Sequence, residues 1–315
     1  MKVIFFGTPL FAATILEALL DKGISVVAVV TKPDKAQGRS HQLQPTPVKE
    51  AVLAKAPHIP IFQPEKVSVS EFAPTLAAFE ADLFIVIGYG EILKQHLLDM
   101  PKLGCINVHG SILPSYRGAA PIQWAIIQGE KESGVTVTKM VKKMDAGVIY
   151  REARVPIGPE TTYGEYERQL CYAAIRPLLD VLDEFAQGHI PASIEQDPEQ
   201  VTFAPKIELE DCEIDWCNSA TTLHNLIRGV NPEPGAWCFV TFKGEKKRLK
   251  IWRTAVVKGE GSPGTILSYD KKGIVIVCGS EALQLLELQL EGKRKMTAAE
   301  FRCGIPASHL SFAAV

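Results

Sequence analysis

Four short runs constrain the fold of this chain more than anything else in it: KVIFFG (2–7), ISVVAVVT (24–31), ADLFIVIGYG (81–90) and GCINVHG (104–110). Each is nearly continuous in apolar residues over the length of one strand, the pattern of a strand covered on both faces. Stretches of helical spacing separate them. This alternation predicts an α/β domain built on a doubly wound parallel sheet. After the first run, Thr8 is placed to cap a helix with Pro9 at its first position, because the N–H groups of a first turn lack intrahelical partners. Sheets of this kind hold ligands at the carboxyl ends of their strands. The fourth run ends in two polar side chains, Asn107 and His109.

The chain of 315 residues has room for a second core. After residue 185 the pattern changes to a Pro- and acid-rich stretch, FAQGHIPASIEQDPEQVTFAPKIELEDCEIDW, which reads as a linker. Beyond it lie the β-like runs AWCFVTF, RLKIWRTAVV, GTILSYD, GIVIVCG and ALQLLELQL, parted by turn signals such as FKGEKK and YDKKG. Short strands at this spacing predict a small β-barrel or sandwich. The expected boundaries are 1–189 for the first domain, 190–207 for the linker and 208–315 for the second domain.

Charge separates the same parts. Residues 1–190 carry 19 basic and 20 acidic side chains, residues 191–215 carry 1 and 8, and residues 216–315 carry 14 and 8. A basic last third behind an acidic connector suits a module that meets polyanions, and equally a lysine-bearing solvated surface. No apolar run reaches the roughly 18–20 residues of a membrane-spanning helix. The apolar N-terminal run is broken by Gly7-Thr8-Pro9, so it reads as a first strand and helix and not as a signal or transit segment. Seven cysteines without a C-x-x-C pair argue against a disulfide framework and a zinc site, so a reducing cytoplasm is expected.

Side chains alternate along a strand, so Asn107 and His109 are expected on one face. An amide and an imidazole together suit acyl transfer, one donating to a developing oxyanion and the other moving a proton. A core Asn–His hydrogen bond closing the strand is the other reading of the same pair. Downstream, SGVTVTKMVKKMDAGVIYREARV (133–155) reads as two strands around a turn at Asp145-Ala146-Gly147. Asp145 is either a turn former or a carboxylate brought to orient His109. The dinucleotide fingerprint G-x-G-x-x-G is absent after the first strand, which disfavours a nicotinamide enzyme. No P-loop, nucleophile elbow or metal-ligand spacing of histidines appears, and no metal is expected. The polar segment TKPDKAQGRSHQLQPTPVK (31–49) is longer than an economical connection, as functional loops often are.

The stretches NVHGSILPSYRGAAPIQWAI and SGVTVTKMVKKMDAGVIY resemble the formyltransferase family that uses 10-formyltetrahydrofolate. The family's Asn-x-His and Ser-x-Leu-Pro are met by Asn107, His109, Ser111, Ile112, Leu113 and Pro114, and its aspartate two residues before a glycine by Asp145. FFGTPLFA, TKPD…GR…PTPVK, FAPKI, IDW, IRGVNPEPGAW, PGTI and GKRKM follow in family order, so the resemblance runs end to end. It is greatest to the branch that formylates methionine esterified to initiator tRNA. It implies a Rossmann-like catalytic domain followed by an OB-like C-terminal β-barrel.

The resemblance also implies roles. Asn107 and His109 would stabilise the oxyanion while Asp145 sets the protonation of His109. Tyr89, Gly90, Ser111, Ile112, Leu113 and Pro114 would line the folate pocket. Arg39, Lys247, Arg248 and Lys250 would contact tRNA phosphates, with Lys243, Lys246, Lys293, Arg294 and Lys295 as further candidates. A monomer without membrane attachment is expected. One departure stands out: Gly38-Arg39 leads into SHQLQ where family loops carry a further glycine and a lysine pair. Heavier reliance on Arg39 and on the C-terminal domain is therefore expected. A formyltransferase acting on glycinamide ribonucleotide or an amino sugar is the nearest alternative. A non-catalytic RNA- or folate-binding protein is a second, and a dehydrogenase a third.

Overall fold

The computed structural model describes residues 1–37, 42–270 and 273–312. Arg39 lies outside the described residues. The chain forms two compact units: residues 1–121, 132–156 and 167–204 in the first, and 122–131, 157–166 and 205–315 in the second.

The first unit is a layered α/β structure around one sheet. Its strands are β1 (Val3–Gly7), β2 (Val26–Val30), β3 (Ile61–Phe62), β4 (Leu83–Ile87), β5 (Cys105–His109), β6 (Glu132–Lys139) and β7 (Ile149–Pro156). The order across the sheet is β7-β6-β5-β4-β1-β2-β3. The first five strands are parallel, and β6 and β7 add an antiparallel edge. Every residue of β1 and β4 is buried, as their unbroken apolar runs require. The chain leaves β1 toward β2 and β3 on one side and returns to β4 and β5 on the other. A crevice at the carboxyl ends follows from that reversal.

Helix α1 (Leu10–Asp21) buries Phe11, Ala12, Ile15, Leu16 and Leu19, one stripe at helical spacing. Its start differs from the sequence expectation. Pro9 occupies the N-cap position and no side chain caps the helix, because the Thr8 hydroxyl donates to the Tyr89 carbonyl at 3.1 Å. The Thr-Pro pattern is realised instead at helix α2 (Pro47–Lys55), where Thr46 Oγ1 accepts from Lys49 N–H at 3.2 Å. The 31–49 segment is not a bare loop either. Lys35–Gln37 pairs antiparallel with Gln42–Gln44. The base of that hairpin is held where Lys49 meets Asp34 at 2.6 Å and Gln63 donates to Asp34 at 2.6 Å and to the Lys32 carbonyl at 2.9 Å.

The second unit is a nearly closed antiparallel barrel sheet. Its strands are β8 (Ala236–Phe242), β9 (Glu245–Val257), β10 (Ile266–Asp270), β11 (Gly273–Val277), β12 (Ala282–Leu290) and β13 (Leu310–Phe312), ordered β10-β11-β12-β9-β8-β13, and the short Met296–Thr297 strand pairs with β12 off this path. The long strand β9 pairs with both β8 and β12, so it forms the spine of the sheet. Trp216 is wholly buried in the core and meets Phe312 edge-on at 5.7 Å. Ser219 caps the helix at Ala220–Gly229, and Thr297 with Glu300 forms a capping box on the helix at Ala298–Gly304. The Rossmann-like sheet and the C-terminal barrel are the architecture that the sequence pattern predicts.

Candidate active site

Asn107 and His109 sit opposite Thr138 and Thr136 of β6, on one face of β5 as strand alternation demands. His109 is 5 % exposed, and Asn107 is half-buried. Asp145 reaches them from the turn between β6 and β7. Its Oδ2 lies 3.8 Å from His109 Nδ1 and accepts the Gly118 N–H at 2.9 Å, while its Oδ1 takes the Asn107 amide at 3.5 Å. One carboxylate thus stands between the amide and the imidazole.

The turn that delivers Asp145 is tightly constrained. Asp145 has φ +49°, a left-handed conformation that aspartate tolerates better than most side chains. Gly147 packs so close to the Lys139 carbonyl that a Cβ would overlap it. His109 Nε2 is 2.9 Å from the Tyr116 carbonyl, which can only accept. That contact assigns a proton to Nε2 and leaves Nδ1 facing the carboxylate. Asn107 has two amide hydrogens, of which Asp145 takes one, so the second is left for an acceptor in the crevice.

The loop after β5 is closed on itself. Ser111 Oγ donates to the Ser115 carbonyl at 2.6 Å, and Thr136 Oγ1 donates to the Ser111 carbonyl at 2.7 Å and accepts Leu113 N–H at 3.1 Å. Ser111 and Leu113 are buried, whereas Ile112 and Pro114 are half-buried with part of their surface open. At the end of β4, the Tyr89 ring is turned into the core, edge-on to Phe6 at 5.7 Å with the Lys32 ammonium 4.9 Å from its centre. Its hydroxyl is buried without a hydrogen-bond partner among the described residues, and burial pushes its pKa up. Gly90 beside it is exposed at φ +84°, with no described residue within 4 Å of where a side chain would begin.

On the barrel, alternation along β9 divides the basic residues named from the sequence. Arg248 and Lys250 face the same way, opposite Phe239 and Trp237 of β8. The Arg248 guanidinium lies 4.2 Å from the Trp237 ring centre, and Lys250 donates to the Pro234 carbonyl at 2.7 Å. A cleft of about 460 Å³ opens along them, lined also by Phe239, Gln289, Leu290 and Glu291. Lys247 takes the other face with Leu249 and Ile251, and pairs with Glu245 at 3.1 Å.

Two residues that the sequence reading passed over belong to the Asp145 turn. Arg117 is 6 % exposed and donates through Nε and Nη2 to Gln196 Oε1 at 3.0 and 2.6 Å. Gln196 in turn donates to the Asp145 and Gly147 carbonyls at 2.8 and 2.7 Å. Arg117 stood inside the SYRGAAP motif and was open to notice. Gln196 carried no signal, since a polar residue in an acidic, proline-rich stretch has no periodicity to betray it. Among the described residues, no group of three or more His, Cys, Asp or Glu is placed to hold a metal ion. Nor is any helix among them long and apolar enough to cross a membrane.

A formyl-transferring α/β domain joined to its own C-terminal domain is the class that this fold and site define. The sequence matches the family "Formyl transferase" over residues 1–182 and "Formyl transferase, C-terminal domain" over 206–306. The chain belongs to the formyl transferase family. It is 56 % identical over 313 residues to methionyl-tRNA formyltransferase of Protochlamydia amoebophila (strain UWE25), covering 99 % of this chain and 98 % of that one. It is 42 % identical to methionyl-tRNA formyltransferase of Chlamydia pneumoniae, covering 98 % and 97 %. Among solved structures, HypX from Aquifex aeolicus in complex with tetrahydrofolic acid shares the fold, with a TM-score of 0.65 at 17 % identity. That likeness covers 96 % of this chain and 47 % of HypX.

Proposed function

We propose that this enzyme transfers the formyl group of 10-formyltetrahydrofolate to the α-amine of methionine on initiator tRNA, giving N-formylmethionyl-tRNA for translation initiation in the cytoplasm. The observation that carries the chemistry is the Asn107–Asp145–His109 constellation at the carboxyl end of a parallel strand. Full-length similarity to methionyl-tRNA formyltransferases supports the acceptor.

Each residue then has a task. The free amide hydrogen of Asn107 meets the negative charge that develops on the formyl oxygen when the amine attacks. Such a donor is worth about 2.7–4 kcal/mol in acyl transfer. His109, with its Nε2–H on the Tyr116 carbonyl, takes the proton lost by the attacking amine at Nδ1 and returns it to N10 as the formyl C–N10 bond breaks and tetrahydrofolate leaves. Asp145 holds both side chains in register and stabilises the imidazolium. The folate donor is read as lying where Gly90 leaves open space and where Ile112 and Pro114 offer apolar surface. Ser111 and Leu113 support that loop from within, and Tyr89 forms the floor.

Residues 1–189 are proposed as the catalytic domain, 190–207 as the connection and 208–315 as the tRNA-binding domain. Arg39, Arg248 and Lys250 are assigned to phosphates, which position the acceptor without reading its sequence. Lys247, paired with Glu245, is assigned a lesser part. The monomer is the working unit. The test is acceptor choice: charged initiator tRNA, free methionine and glycinamide ribonucleotide compete for one pool of 10-formyltetrahydrofolate. Rapid transfer to charged tRNA alone supports the proposal, and transfer only to a small amine overturns the acceptor.

A further inference from the structure

The stretch around Gln196 was read as linker, yet it is stitched along the turns that follow the catalytic strand. Ile194 forms an antiparallel bridge with Ile149, with N···O distances of 2.8 and 2.9 Å. Tyr116 N–H donates to Thr202 Oγ1 at 2.8 Å, and Arg117 N–H to the Thr202 carbonyl at 2.9 Å. Phe203–Ala204 then runs parallel to Arg117–Gly118. Between these seams lies the Gln196 carboxamide. Its nitrogen supplies both hydrogens to the two carbonyls that flank the Asp145 turn, and its oxygen accepts both Arg117 donors. The opposite orientation of the amide would face N–H against N–H and oxygen against oxygen, so all four contacts require this one.

We infer that Gln196 is a positioning residue for formyl transfer: with Arg117 behind it, it fixes the Asp145 turn and thereby the carboxylate between Asn107 and His109. The inference rests on the role given to Asp145 above. The physical need is plain. Asp145 is left-handed, and although its Oδ2 accepts the Gly118 N–H at 2.9 Å, its contacts to Asn107 and His109 are long, at 3.5 and 3.8 Å, so those two side chains do not hold the turn in place. The turn must be held from its backbone, and Gln196 takes the carbonyls of residues 145 and 147. No other residue type offers two donors and an acceptor in one plane at this reach; glutamate keeps the acceptor for Arg117 and loses both donors.

The test measures kcat, both KM values and Tm for the full chain carrying Gln196→Glu, Gln196→Met or Asp145→Asn, with 10-formyltetrahydrofolate and charged initiator tRNA. A displaced catalytic group costs about ten- to a hundred-fold in rate. Both Gln196 variants should therefore lose kcat by that factor with both KM values unchanged. Gln196→Glu keeps the Arg117 pair but turns a carboxylate oxygen toward both carbonyls, so kcat is read well below the Tm of each variant. Wild-type kcat in both Gln196 variants, with Asp145→Asn inactive, would overturn the inference and leave the role of Asp145 standing. Wild-type kcat in Asp145→Asn would overturn both. A lowered Tm with kcat restored on cooling would reduce Gln196 to a structural brace and overturn the positioning role.

Discussion

The barrel face carrying Arg248 and Lys250 makes a quantitative prediction about salt. Both cations stand on the same side of β9 beside the 460 Å³ cleft. Among the described residues neither forms an ion pair, although Glu291 lines the same cleft. Arg248 lies over Trp237, which leaves the edge donors of its guanidinium open, and Lys250 spends one of three hydrogens on the Pro234 carbonyl. If each contacts one phosphate, the double variant Arg248→Ala/Lys250→Ala reduces the slope of log affinity against log salt by roughly 1.4–1.8, at about 0.7–0.9 per contact. Between 50 and 200 mM salt, the advantage of the unmodified chain should then shrink by roughly 7- to 12-fold. Titration of charged tRNA by filter binding at several salt concentrations reads this directly. Lys247→Ala is the internal control: it lies on the other face and pairs with Glu245, so its slope should stay close to that of the unmodified chain. An unchanged slope in the double variant, or an equal fall with Lys247→Ala, would refute the assignment of this face.

Glu91 accepts Lys32 at 2.6 Å and the N–H groups of Val67 and Ser68. Burial, the largest single influence, pushes its pKa up, but those three donors together outweigh it and hold the carboxyl below its ordinary value. A lowered folded-state pKa adds stability above the unfolded value of about 4.3, and that stability is lost as pH falls through the folded value. Glu91→Gln should therefore lower Tm at pH 7, with the difference narrowing under acid; melts showing a constant difference across pH would contradict this. Of the seven thiols, Cys217 and Cys303 are exposed and the other five are buried, with burial pushing Cys105 and Cys171 up to about 12. A disulfide-exchange reagent should titrate two thiols in the native protein and seven in denaturant. Cys217 should react faster as pH rises past 9, since its hydrogen bond with Asp215 raises its pKa; a third reactive native thiol would count against the packing described.

The parts of this molecule legible in its sequence are those that depend on local pattern. The buried strands announced themselves as apolar runs. The shared face of Asn107 and His109 followed from a period of two, and the strands of the barrel fell where their runs and turns placed them. What stayed hidden depends on contacts made across the chain. Thr8 looked like a cap, but a carbonyl 81 residues away won its hydroxyl. Asp145 came to His109 through a hairpin whose register no spacing rule provides. The polar 31–49 segment is nearly free of apolar residues that would mark a strand, and its hairpin base is held by charged and amide side chains. Gln196 was least visible of all: its worth lies in four hydrogen bonds with partners 49 to 79 residues away.

The central claim is that Asn107 donates to charge that appears only as the formyl group is transferred. The measurement that tests it most directly is the single-turnover rate of transfer to charged initiator tRNA by Asn107→Ala, with both substrates saturating. Loss of about 2.7–4 kcal/mol of transition-state stabilisation predicts a rate lower by about 10²–10³ with both substrates still bound. A rate equal to that of the unmodified chain would contradict the account and return Asn107 to the end of a strand.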